Sequence, residues 1–223
     1  TKLGYGMLTP NAYPVAISND GTKLVAIAED LGGNLASLAT AAKNGFFVWH
    51  STDNGATWVK KGALPIENGL DIPRILRKSA SGWLMVNPLL SLSGIWRTTD
   101  PDAVNGWSKV LTLSDWSLSG LAPDAWNNTM FVTSLDKLGS VWFAYLVNTN
   151  GSQIGQILES TDDGQNWVRT YTDTGYVFGR VRPVLVGSVP MYLESGGKRV
   201  LRKISGAWSV TTADLPTAAN FDA

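Results

Sequence analysis

Apolar residues along this chain come in short runs broken by turn-forming residues, with no long helical stripe. A first group of runs covers 15–18 and 23–28 around an Asn19-Asp20-Gly21 turn, then 46–51 and 57–60. A second covers 72–77, 83–87, 94–98 and 107–111. A third covers 129–134, 141–147, 154–159 and 167–171, and a fourth 177–186, 191–194, 199–204 and 208–212. Each run is rich in β-branched or aromatic residues and is bounded by Gly, Asn, Asp, Ser or Pro, which is the pattern of β-strands and tight turns. Only 34–43 carries a trace of helical period.

The runs fall into fours, and each group ends near a tryptophan followed by a last short run. Trp58, Trp107, Trp167 and Trp208 recur roughly forty to sixty residues apart, the size of one four-stranded propeller blade. Two of the closing segments are near copies. Ser51-Thr52-Asp53-Asn54-Gly55-Ala56-Thr57-Trp58 returns as Ser160-Thr161-Asp162-Asp163-Gly164-Gln165-Asn166-Trp167. Weaker echoes run from Ile95 to Trp107, with an insertion, and from Arg202 to Trp208.

The repeat has a physical reading as a hairpin clasp. The Asp carboxylate is expected to accept hydrogen bonds from backbone N–H groups a residue or two on. Gly55 and Gly164 supply positive φ, and the Trp folds back as an apolar plug whose indole N–H seeks a partner. Ser51, Asp53, Gly55, Trp58, Ser160, Asp162, Gly164 and Trp167 are therefore read as structural.

The pattern Ser-x-Asp-x-Gly-x-(Thr/Asn)-Trp resembles the Asp-box of sialidases and many other β-propellers. The resemblance implies an all-β protein, a β-propeller of four-stranded antiparallel blades with Asp-box turns between third and fourth strands. Four blades are recognisable, at about 15–61, 71–112, 129–172 and 176–212, in a single domain over 1–223. The termini either close the ring, with 2–8 as an outer strand, or begin a fifth blade, or belong to a longer protein.

An active sialidase is not expected. That family needs three arginines, a Tyr–Glu nucleophile pair, an acid–base Asp and a Phe/Tyr-Arg-Ile-Pro motif. The nearest string here, Ile72-Pro73-Arg74-Ile75, has the wrong order. The glutamates are Glu29, Glu67, Glu159 and Glu194, and Glu159 abuts the second Asp-box, on the rim. No pair suits a two-carboxylate glycosidase. The single histidine, His50, lacks partners at metal-ligand spacing and reads as a rim residue. No catalytic residue, metal site or cofactor is expected.

Composition narrows the class further. Charged residues are 16% of the 223, and 18 Lys and Arg balance 18 Asp and Glu. Without a basic stripe, nucleic-acid binding has no electrostatic support. No apolar run approaches a membrane span. Absent cysteine excludes disulfides and thiolate metal sites.

The remaining candidates are for binding. Segments 30–45 and 113–128 are the longest irregular ones, and propeller geometry puts both on the face opposite the Asp-boxes. Trp116 and Trp126 lie in the second, among Asp, Ser, Gly and Asn, which suits sugar stacking with hydrogen bonds; the alternative is that both tuck under their own loop. Arg180 and Arg182 share one side of an expected innermost strand and could meet an anion or pair with carboxylates. The expectation is a non-catalytic recognition or structural module, extracellular or in a virion. A bacteriophage tail fibre or spike contacting host glycan or another subunit fits, and it could form an oligomer. A free-standing lectin and a sialidase-like hydrolase are the alternatives.

Overall fold

The computed structural model describes residues 12–30, 45–64, 73–87, 94–103, 106–111, 130–148, 154–174, 183–193 and 199–212. They form sixteen strands in four antiparallel sheets of four, each sheet ordered as its strands follow in the chain. The chain divides into two compact units, 1–128 and 129–223, with two sheets in each.

In the first unit, the first sheet holds β1 (Ala12–Asn19), β2 (Leu24–Asp30), β3 (Gly45–Ser51) and β4 (Val59–Ala63). The second holds β5 (Ile75–Lys78), β6 (Trp83–Asn87), β7 (Gly94–Thr98) and β8 (Ser108–Leu111). Strand alternation sends Val25, Ile27, Phe46 and Val48 to one face of the first sheet. There they meet Leu76, Trp83, Met85 and Trp96 of the second in one buried cluster. Trp107, just ahead of β8, joins this core at 5% exposure. The other face of the first sheet carries Ala26, Ala28 and Trp49, with Phe47 and Trp58 half-buried beside them.

In the second unit, the third sheet holds β9 (Met130–Leu138), β10 (Val141–Asn148), β11 (Ile154–Ser160) and β12 (Val168–Thr174). The fourth holds β13 (Pro183–Val186), β14 (Val189–Leu193), β15 (Arg199–Ile204) and β16 (Ala207–Thr212). Phe143, Tyr145, Val147 and Ile157 of the third sheet pack on Tyr192 and Leu201 of the fourth. Trp208 closes this core edge-on, its ring 6.0 Å from that of Phe143 at 87°.

Trp208 lies in the strand expected over 208–212. The β15–β16 hairpin is a two-residue turn, with Ile204 opposite Ala207 and Ser205 and Gly206 at φ 51° and 84°. So tight a turn has no room for the eight-residue clasp. Trp208 therefore sits inside β16, paired with Lys203, and its resemblance to the other closing tryptophans is one of spacing alone.

Candidate functional site

The two Ser–Asp–Gly–Trp segments form matching turns, one joining β3 to β4 and one joining β11 to β12. In the first, the Ser51 hydroxyl donates to Asp53 Oδ1 at 2.7 Å and accepts from the Gly55 N–H at 2.7 Å. The Asp53 carboxylate then takes the Thr57 N–H at 2.8 Å and the Thr57 hydroxyl at 2.6 Å. The Trp58 indole N–H closes the loop onto the Gly55 carbonyl at 3.1 Å. In the second, Ser160 donates to Asp162 at 2.8 Å and accepts from the Gly164 N–H at 2.9 Å. The Asn166 N–H and side-chain amide reach Asp162 at 2.9 and 2.6 Å, and the Trp167 indole donates to the Gly164 carbonyl at 3.2 Å.

These bonds differ from the sequence expectation in reach. The Asp captures N–H groups three and four residues on, not one or two, because the serine hydroxyl already serves the near side of the loop. Gly55 and Gly164 take φ of 89° and 83°, and Asn54 and Asp163 before them are also left-handed, at 56° and 60°. Asn and Asp tolerate that region better than other side chains.

Such dense donation favours the charged carboxylate. The Thr57 hydroxyl, the Thr57 N–H and the Ser51 hydroxyl hold Asp53 down at about 2. The Asn166 backbone and side-chain amides, with Ser160 and the Gln165 N–H, do the same for Asp162, also at about 2. Both aspartates are thus anions committed to their own turns.

Behind each turn lies a polar residue that sequence reading placed on the rim. Glu159, immediately before Ser160, is 7% exposed and lies between the third and fourth sheets. It accepts from Thr170 Oγ1 at 2.7 Å and from the Trp208 indole at 2.8 Å, and it pairs with Lys203 Nζ. His50, immediately before Ser51, is 6% exposed and faces the second sheet, with Nε2 2.7 Å from Asp102 Oδ1. Burial pushes the His50 imidazole below its ordinary value, against the opposing pull of Asp102. Both positions carried a faint signal in the sequence, a polar residue ending an apolar run that should have stayed on the core side by alternation.

A further tie links the same two sheets of the second unit. Arg199 on β15 meets Asp173 on β12 at 2.8 Å. The Tyr171 hydroxyl leans on the same carboxylate at 3.3 Å, and burial with that neighbouring charge raises it to about 12.

Beside the first turn, Asn19, Gly21, Thr22, Lys23 and Leu24 of the β1–β2 hairpin face Ser51, Thr52 and Asn54 across a small polar cleft. Asp20 braces this hairpin by accepting from the Thr22 and Lys23 N–H groups at 2.9 and 2.8 Å. Among the described residues no three His, Asp or Glu converge as metal ligands. Trp116, Trp126, Arg180 and Arg182 lie outside the described residues, as do Glu67 and Glu194. The chain ends proposed to close the ring and the segment 34–43 lie outside them too.

No family model matches the chain, and no curated protein matches it. Solved structures do. The periplasmic gluconolactonase PpgL of Pseudomonas aeruginosa matches with TM-score 0.53 and 15% identity, over 91% of this chain and 53% of its own. A proposed 6-phosphogluconolactonase of Bacteroides uniformis matches with TM-score 0.55 and 12% identity, over 90% of this chain and 54% of its own. Trypanosoma rangeli sialidase in complex with 2,3-difluorosialic acid reaches TM-score 0.48 at 14% identity, over 90% of this chain and 37% of its own. The chain thus spans between about a third and about a half of the length of these structures. At such identities the likeness is one of fold, and the fold is the all-β propeller class, built here from four four-stranded antiparallel sheets.

Proposed function

We propose that this chain is a non-catalytic Asp-box propeller module of an extracellular or virion assembly. It would recognise a surface glycan or another subunit, as a bacteriophage tail fibre or spike component does. The observation that carries the reading is the state of Glu159. An acid–base carboxylate must reach a substrate oxygen. Glu159 is buried, and its oxygens are taken by Thr170, Trp208 and Lys203 of the same chain. Asp53, Asp162 and Asp173 are likewise occupied within the fold. These acids build the scaffold, which leaves recognition to the loops. Trp116 and Trp126 in the 113–128 segment are the residues best suited to stack on sugar rings.

The test is a panel of glycans and bacterial polysaccharides, read beside turnover of fluorogenic glycosides including a sialoside. The expected result is binding without turnover, lost in the Trp116→Ala/Trp126→Ala double variant while its melting temperature holds. Turnover would sink the non-catalytic reading. Sugar affinity that survives the double substitution would move the site elsewhere.

A further inference from the structure

The polar cleft beside the first Ser–Asp–Gly–Trp turn has a counterpart position in two other sheets, and there a side chain fills it. Register fixes the equivalence. Leu24 pairs with Ser51, Trp83 with Thr98 and Trp142 with Ser160, so these three stand at one place in their sheets. On the neighbouring first strand they pair with Asn19, Lys78 and Lys137 in turn. The second and third sheets thus carry a Lys–Trp pair here, each ammonium 5.6 Å from its ring centroid. In the third sheet the turn completes the plug: Asp163 accepts from the Trp142 indole at 3.2 Å and lies 3.7 Å from Lys137 Nζ. The first sheet replaces all three members, with Leu24 for the tryptophan, Asn19 for the lysine and Asn54 for the aspartate. The space so left is a cleft of about 240 Å³, open to solvent, with Asn19, Thr22 and Lys23 on one side and Ser51, Thr52 and Asn54 on the other.

We propose that this cleft is a binding site for one uncharged sugar ring. Trading a lysine and an aspartate for two amides removes a charge pair and leaves groups that both donate and accept, the chemistry that matches adjacent ring hydroxyls. Asn19 Oδ1 already accepts the Gly21 N–H at 2.6 Å, so its NH2 is the part left to donate to a ligand. Asp20 offsets the Lys23 ammonium from within the same turn, and its Oδ1 takes the Lys23 N–H at 2.8 Å, which favours a neutral ligand over an anion. Size sets the other limit. The cleft is smaller than the roughly 300–1,000 Å³ of a drug-sized pocket, so it admits a single ring or the end of a chain. Its walls are two hairpins braced by their own hydrogen bonds, so little ordering opposes binding. Binding here requires neither Trp116 nor Trp126, so the two sugar sites stand or fall separately.

Amide NMR spectra of the whole chain, titrated with the methyl glycosides of glucose, galactose, mannose and N-acetylglucosamine, test it. At least one glycoside should bind in the millimolar range and shift the amides of 19–24 and 51–55. Leu24→Trp refills the cleft as the third sheet does, and Asn54→Ala removes one amide without filling it. Each should weaken binding about tenfold or more. Asn54 is exposed, so its variant should keep the wild-type melting curve even if the larger tryptophan at 24 disturbs the fold. The Trp116→Ala/Trp126→Ala variant should leave these shifts in place. Glycosides that leave the amides of 19–24 and 51–55 unmoved at tens of millimolar overturn the proposal. So does binding that Asn54→Ala leaves intact, or that only the double tryptophan variant abolishes.

Discussion

His50 and Glu159 hold the same position in two separate sheets: each is the last residue before the serine of a Ser–Asp–Gly–Trp turn, and each is buried. His50 faces Asp102 across to the second sheet, and Glu159 faces Lys203 and Trp208 across to the fourth. The repeat thus does two jobs from adjacent residues. The serine and aspartate close the hairpin locally, while the residue before them ties that sheet to the next.

The Glu159 tie should be costly to break. Removing one member of a buried, hydrogen-bonded ion pair leaves the other uncompensated. Glu159→Ala should destabilise the fold by about 3 kcal/mol. Glu159→Gln keeps an acceptor for the Trp208 indole and should lose less. Denaturant midpoints measure both, and a near-neutral Glu159→Ala would show that the pair contributes nothing net.

The turns should appear in the acid limb of the stability curve. Asp53 and Asp162 have folded values of about 2, below the 3.8 of a free aspartate. Their contribution is therefore fully present above about pH 4 and drains away as the pH falls towards 2. Asp53→Asn and Asp162→Asn should each lower the melting temperature at neutral pH and flatten its slope between pH 4 and 2. Because both carboxylates face water, the effect of each should be modest. An unchanged slope in the double variant would refute the assignment.

His50 is the only histidine, so one imidazole resonance reports it. Its folded value lies below 6.5 because burial disfavours the cation. With the folded value depressed, the unfolded chain binds the proton more readily, so stability is held above about pH 6.5 and lost as the pH falls through the folded value. An NMR titration should give a midpoint under 6.5, and His50→Gln should remove that part of the pH dependence. A midpoint above 6.5 would mean that Asp102 outweighs burial.

Much of the fold was legible because its information is local. Strands of four to nine residues, the Asn19-Asp20-Gly21 hairpin and both Ser–Asp–Gly–Trp turns are each set by neighbours within about eight positions, where alternation and turn chemistry act directly. The strands also follow in fours, so their grouping into sheets could be read from spacing. Even the turns were only partly legible: the pairing of Asp53 with Thr57, and of Asp162 with Asn166, depends on a loop closed first by the serine.

What the sequence determined by itself, then, is the set of strands, the two clasps and the propeller class. Tertiary structure decided the role of each polar residue behind them. Glu159 meets Lys203 and Trp208 across 44 and 49 positions of chain, a contact no local pattern encodes. Trp107 and Trp208 share the spacing of Trp58 and Trp167, yet they fill cores. Whether an indole plugs a turn or packs between sheets depends on how much room the hairpin leaves and on which face of the neighbouring sheet comes to meet it.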